Sequence, residues 1–157
     1  MAMIAIDGKE VITRAIALDD APAIAELSGQ LGYEASATQI ADRIACMLPL
    51  TDNHLALVAC VGGQVVGWIE AEIARHLQSE PHTVITGLVV QDGARSLGVG
   101  SRLCAEAEEW SLQRGVNVIR VTSRITRERA HRFYLREGFV QTKTSAVFEK
   151  VLSSETE

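Results

Sequence analysis

The sequence predicts one α/β domain: a mixed, mostly antiparallel sheet of six to seven strands flanked by about four helices, in the order β-α-α-β-β-β-α-β-α-β-β. Three observations lead there. Apolar runs of strand length outnumber the helical stripes. Gly62-Gly63 sits between two such runs, which is a hairpin signal. Later in the chain, the apolar run from Val84 to Val90 enters a glycine turn that opens a long helical pattern. Strands and helices in that mixture pack as a sheet covered by helices.

Taken in order, Val11 to Leu18 reads as a strand. Asp19 and Asp20 are cap candidates with Pro22 in the first turn, so a helix begins there. Ile24, Leu27 and Leu31 fall on one of its faces, and Gly32 ends it. Ser36 with Gln39 forms a capping box for a second helix, whose buried stripe is Ile40, Ile44 and Leu48 and whose stop is Pro49. Leu55 to Val61 and Val65 to Ile73 are the hairpin strands. Period-2 alternation puts Trp68, Glu70 and Glu72 on one face and Ile69, Ala71 and Ile73 on the other. The polar stretch from Arg75 to His82 reads as a loop. After the glycine turn, Val99, Leu103, Ala107 and Trp110 share one helical stripe that Gly115 closes. Val116 to Val121 is a further strand, and Arg127 to Arg136 a short helix with Ala130, Phe133 and Tyr134 inward. Phe139-Val140 and Ser145 to Leu152 read as a closing hairpin, which leaves 153–157 as a polar tail.

The 157 residues are 47% hydrophobic, enough for one core spanning about 11–151. No apolar run approaches the roughly 18 residues of a membrane span. The first residues lack the pattern of a secretory signal, so a cytoplasmic location without membrane association is expected. The net charge of −5 and the lack of a lysine-rich run argue against a nucleic-acid partner. Cys46, Cys60 and Cys104 form no CxxC pair and lie in apolar contexts, so they read as core residues rather than metal ligands.

The chemistry concentrates in Arg95-Ser96-Leu97-Gly98-Val99-Gly100. The first amides of a helix lack intrahelical acceptors, and the helix dipole favours negative charge there. Glycine lets a pyrophosphate approach the backbone. A dinucleotide fingerprint has different glycine spacing in a first strand–helix unit, and a P-loop ends in Gly-Lys-Ser/Thr; neither is present.

Residues Val90 to Gly100 resemble the acetyl-CoA loop of the GCN5-related N-acetyltransferase (GNAT) superfamily. Ala130-His131-Arg132-Phe133-Tyr134-Leu135-Arg136-Glu137-Gly138-Phe139 resembles that family's Ala-x-x-Phe-Tyr-x-x-x-Gly-Phe segment. The resemblance spans about residues 11 to 151. Asp92 stands where the family often has proline, Ser96 where it often has glycine, and Arg127 where it often has asparagine.

The resemblance implies that the amides from Arg95 through Ser96, Leu97, Gly98, Val99 and Gly100 to Ser101 hold the pyrophosphate of acetyl-CoA, with no metal. It implies that Leu88, Val89 and Val90 pair with the pantetheine arm, and that an amide at Val89 or Val90 polarises the thioester carbonyl. It makes Tyr134 the general acid for the leaving thiolate. Glu70 and Glu72, on the strand next to the cofactor strand, are candidates to take the proton of the attacking amine. His82 and His131 read as surface histidines, and His54 and His76 carry no signal. The expected activity is transfer of an acetyl group to a primary amine of a small molecule or peptide, with a homodimer plausible by resemblance. Two other readings stay open: an acyltransferase with another acyl-CoA, and an acyl-CoA-binding sensor without turnover. The acceptor is expected to be shaped by Ile24 to Leu48, including the turn Leu31-Gly32-Tyr33, and by Arg75 to His82.

Overall fold

The computed structural model describes residues 4–6, 9–30 and 32–153. The chain divides into two compact units, Met1–Thr122 and Ser123–Glu157.

The first unit carries a six-stranded sheet. Its strands are β1 (Ile4–Ile6), β2 (Lys9–Ala15), β3 (His54–Val61), β4 (Gln64–His76), β5 (Ser79–Val90) and β6 (Ile119–Val121), in that spatial order. Every neighbouring pair is antiparallel except β5–β6, which is parallel. The helices of this unit are α1 (Ala21–Gln30), α2 (Ala37–Met47) and α3 (Val99–Gln113). The mixed, mostly antiparallel class is therefore the one the sequence predicts.

The local signals explain these elements. Ser36 Oγ accepts from the Gln39 amide and Gln39 Oε1 from the Ser36 amide, which is the capping box that starts α2. Asp20 closes the turn ahead of α1 by accepting from the Ala17 amide and from both terminal nitrogens of Arg14. The Arg14 hydrogen bonds hold the Asp20 carboxyl below the usual carboxylate range against the opposing effect of burial. Gly62 and Gly63 have φ of 57° and 79°, the left-handed pair that a two-residue hairpin needs.

Packing splits the sheet faces as alternation requires. Ile24, Leu27, Ile40 and Ile44 of α1 and α2 form a core with Val58, Cys60, Val65 and Val89, and Trp68 packs against it. On the opposite face Ile69 and Ala71 are fully buried, as are Val99, Leu103 and Ala107 of α3. Each such aliphatic side chain stabilises the fold by about 1.5–3 kcal/mol relative to exposure, except alanine, which contributes less.

Several expectations need correction. The stretch from Arg75 to His82 is not a loop: β4 runs to His76 and β5 starts at Ser79. The two long strands continue through polar residues because their ladder supplies the hydrogen bonds, whatever the side chains. The Val116 to Val121 run is strand only from Ile119. The N-terminal strand begins at Lys9 and pairs with an additional strand, β1. Leu48 is exposed beyond the end of α2. Leu31 lies outside the described residues. Cys60 and Cys104 are buried as expected, but Cys46 is exposed. Desolvation pushes the Cys60 thiol up, which suits an inert core residue.

The second unit holds α4 (Glu128–Arg136). Tyr134 packs edge-on against Phe133 and Phe139, with ring centroids 5.3 and 5.5 Å apart. The closing hairpin expected at 139–140 and 145–152 is absent among the described residues: no strand is formed there. A strand needs a partner ladder as well as β-prone residues, and the sequence pattern supplies only the second.

Candidate functional site

The site is organised by the change of pairing along β5. On one side, β5 pairs with β4 nearly throughout, from His76↔Ser79 to Gly67↔Val90. On its other side it pairs with β6 only at Thr83, Val84 and Ile85. From Thr86 to Val90 that edge has no strand partner among the described residues.

Register decides which groups face this edge. The Gln91 amide donates to the Val66 carbonyl at 2.8 Å, so 66 and 91 are a hydrogen-bonded pair. Antiparallel alternation then makes Trp68/Val89 and Glu70/Gly87 hydrogen-bonded pairs as well. The backbone groups of Leu88 and Val90 point the other way, to the unpaired edge, while those of Val89 face β4. Between Ile85 and Gly87 the register shifts, leaving Thr86 as the extra residue of a bulge.

At its C-terminal end β5 passes through a 3-10 turn, Asp92–Leu97, into α3. Arg95 orders this turn: its Nε donates to the Val90 carbonyl at 3.2 Å, and its guanidinium pairs with Asp92 at 3.0 Å. Gly98 is the N-cap of α3 at φ 74°, a left-handed conformation in which glycine carries no side-chain strain. A Cβ built at Gly98 meets nothing within 4 Å, so the space before the helix is open. The first helical bond runs from the Arg102 amide to the Gly98 carbonyl, so the Val99 and Gly100 amides precede the ladder. Amides at such a helix start are able to hold an anion. Leu97 closes the 3-10 turn, and Ser96 lies within it.

Of the two candidate glutamates, only Glu70 is held. Its Oε2 lies 2.9 Å from His54 Nε2, and its Oε1 accepts from Thr86 Oγ1 at 3.0 Å. Glu72 shares the face, as alternation predicts, but is exposed. Sequence reading passed over His54 and Thr86. The alternating pattern of β3 could have placed His54 on the Trp68–Glu70 face, but its partner depends on register. His82 is buried rather than at the surface, with Nδ1 3.0 Å from the Glu80 carbonyl. His131 Nε2 lies 2.9 Å from the Arg124 carbonyl.

Trp68 covers the β5 backbone beside this cluster. A Cβ at Gly87 would lie 2.5 and 2.6 Å from two atoms of the Trp68 ring. Gly87→Ala is therefore expected to displace the ring and destabilise the protein by about 1–3 kcal/mol. A shifted tryptophan emission spectrum together with a lower Tm checks this; an unchanged spectrum and Tm would show that the ring does not rest on Gly87.

An open groove of about 410 Å³ lies along α1 and α2, lined by Ala25, Gly29, Glu34, Ala35, Ser36 and Gln39. Among the described residues there is no group of three or more His, Cys, Asp or Glu side chains arranged for a metal ion. No helix there is long and apolar enough to cross a membrane.

A mixed sheet with an open strand edge running into a glycine-capped helix can hold an extended ligand arm that ends in an anion. Comparison makes this specific: the model of the acetyltransferase (GNAT) family matches residues 22–139, and the chain belongs to that family. It is 37% identical over 117 residues to an aminoalkylphosphonate N-acetyltransferase of Salmonella typhimurium, a match covering 74% of this chain and 73% of that one. Among solved structures, the aminoglycoside N-acetyltransferase AAC(6')-Iy in complex with CoA superposes with a TM-score of 0.79 at 18% identity, covering 91% of this chain and 96% of that one. A transcriptional regulator from Bacillus halodurans C-125 superposes with a TM-score of 0.77 at 24% identity, covering 89% and 99%. These two likenesses show the fold alone.

Proposed function

We propose that the protein transfers the acetyl group of acetyl-CoA directly to a primary amine of a small molecule, in the cytoplasm and as a homodimer. The observation that carries this reading is the β5 edge from Thr86 to Val90, which has no strand partner among the described residues and is continuous with the glycine-capped start of α3. An extended ligand arm with amides can add to such an edge as a strand would. A pyrophosphate on the same ligand then meets the Val99 and Gly100 amides. A small acceptor is favoured by the relative named an aminoalkylphosphonate N-acetyltransferase.

In the proposed reaction the neutral amine attacks the acetyl carbonyl carbon. The carbon–nitrogen bond forms, the carbon–sulfur bond breaks, and the amine proton passes to Glu70. In this reading the Val90 amide, which points to the open edge, stabilises the developing oxyanion. The Val89 amide is committed to β4 by register, so of the two candidates Val90 is preferred. Tyr134 protonates the departing thiolate. That last role rests on the Phe133-Tyr134…Gly138-Phe139 motif alone.

The test is CoA release with a panel of amines that includes aminoalkylphosphonates and aminoglycosides. Wild type is expected to turn over at least one of them, and Tyr134→Phe to lower kcat about 10²-fold. If no amine accelerates release, the reading as an acyl-CoA-binding module without turnover replaces this one. A fully active Tyr134→Phe variant removes Tyr134 from the acid role.

A further inference from the structure

We infer that His54 is a positioning residue that holds the Glu70 carboxylate in the orientation from which it accepts the amine proton; the inference rests on Glu70 being the base. His54 is the first residue of β3, and its Cα partner on β4 is Glu72. Its ring does not serve that partner. It reaches diagonally to Glu70, two residues along the same face, and meets Oε2 at 2.9 Å. Thr86, the bulge residue of β5, donates to the other oxygen at 3.0 Å. One carboxylate is thus fixed at both oxygens by neighbouring strands on its two sides.

This arrangement restrains the plane and direction of a carboxylate that would otherwise turn about its own side-chain torsions. The side chains of His54 and Glu70 are 12% and 27% exposed, so the pair is sheltered but the carboxylate is not sealed off. Each carboxylate oxygen has a second lone pair beyond the bond it already accepts. With Nε2–H donating to Oε2, the ring supplies direction without taking a proton from the substrate. The proton that leaves the amine goes to Glu70 and from there to solvent. The bulge gives the arrangement its location. The extra residue sets Thr86 and Gly87 together opposite Glu70, so Gly87 keeps the ladder position while the Thr86 hydroxyl is left to reach the carboxylate.

The experiment is a mutant cycle measured in the intact protein, with kcat, KM for acetyl-CoA and Tm for each variant. His54→Ala is expected to lower kcat about 10-fold, with KM for acetyl-CoA unchanged. His54→Gln places an amide N–H where Nε2–H lies and is expected to recover most of that loss. In a Glu70→Gln background, His54→Ala is expected to cost nothing more, because the two act as a unit. Thr86→Val, which releases the other oxygen, gives an independent reading should His54→Ala fold poorly, and is expected to lower kcat about 3-fold. An equal loss from His54→Ala in both backgrounds would make His54 merely structural and overturn the inference. So would wild-type kcat in His54→Ala while Glu70→Gln is inactive. A fully active Glu70→Gln variant fails differently: it removes the base itself, and the proposed catalytic role of Glu70 with it.

Discussion

Replacing Gly98 by aspartate is expected to weaken acetyl-CoA binding about 10²–10³-fold while leaving the fold intact. The backbone at Gly98 is left-handed, but aspartate and asparagine tolerate that region better than other side chains. The space a Cβ would enter is open, so no core contact is lost. The dominant effect is then electrostatic. A carboxylate at the start of α3 occupies the space proposed for the pyrophosphate and repels it. A pair of like charges about 4 Å apart interacts by about 4 kcal/mol at an effective dielectric of 20, and mobile side-chain and solvent rearrangement leaves a part of that. Gly98→Asn has nearly the same shape without the charge and is expected to lose about 10-fold. Titration calorimetry with acetyl-CoA on both variants separates the charge from the shape. Wild-type affinity in Gly98→Asp would place the pyrophosphate elsewhere.

The second large effect is expected at Glu70. Glu70→Gln keeps the size and one acceptor oxygen but removes the basicity, so kcat should fall about 10²–10³-fold while the Kd for acetyl-CoA stays unchanged. Glu72→Gln should stay within about 2-fold of wild type, because Glu72 is exposed. Steady-state rates with a saturating amine, paired with direct binding of acetyl-CoA, check both variants. Equal losses at the two positions would mean that the acidity of the face matters rather than one carboxylate. A larger loss at Glu72 would move the base there.

The expected effects differ in how far the sequence announced them. Gly98 stands out in the sequence because its role is local: a strand end, a turn and a helix start are consecutive, and glycine's freedom is a property of one residue. The same holds for Ser36 with Gln39, whose bonds close within one helical turn. Alternation along β4 placed Trp68, Glu70 and Glu72 on one face, since that needs only the period of the strand. The expected hairpin at 139–140 and 145–152 shows the limit, because β-prone residues specify no ladder partner.

The sequence by itself determined the class of fold, the glycine-capped loop and the family, all of which depend on neighbours in the chain or on motifs with fixed spacing. Only the tertiary structure left Glu72 exposed, brought His54 and Thr86 to the two oxygens of Glu70, and turned the Val90 amide rather than that of Val89 to the open edge. Each of these follows from the register of β3, β4 and β5 and from one bulge. A shift of one residue turns every side chain of a strand to the other face, and nothing in a local stretch of sequence fixes that register.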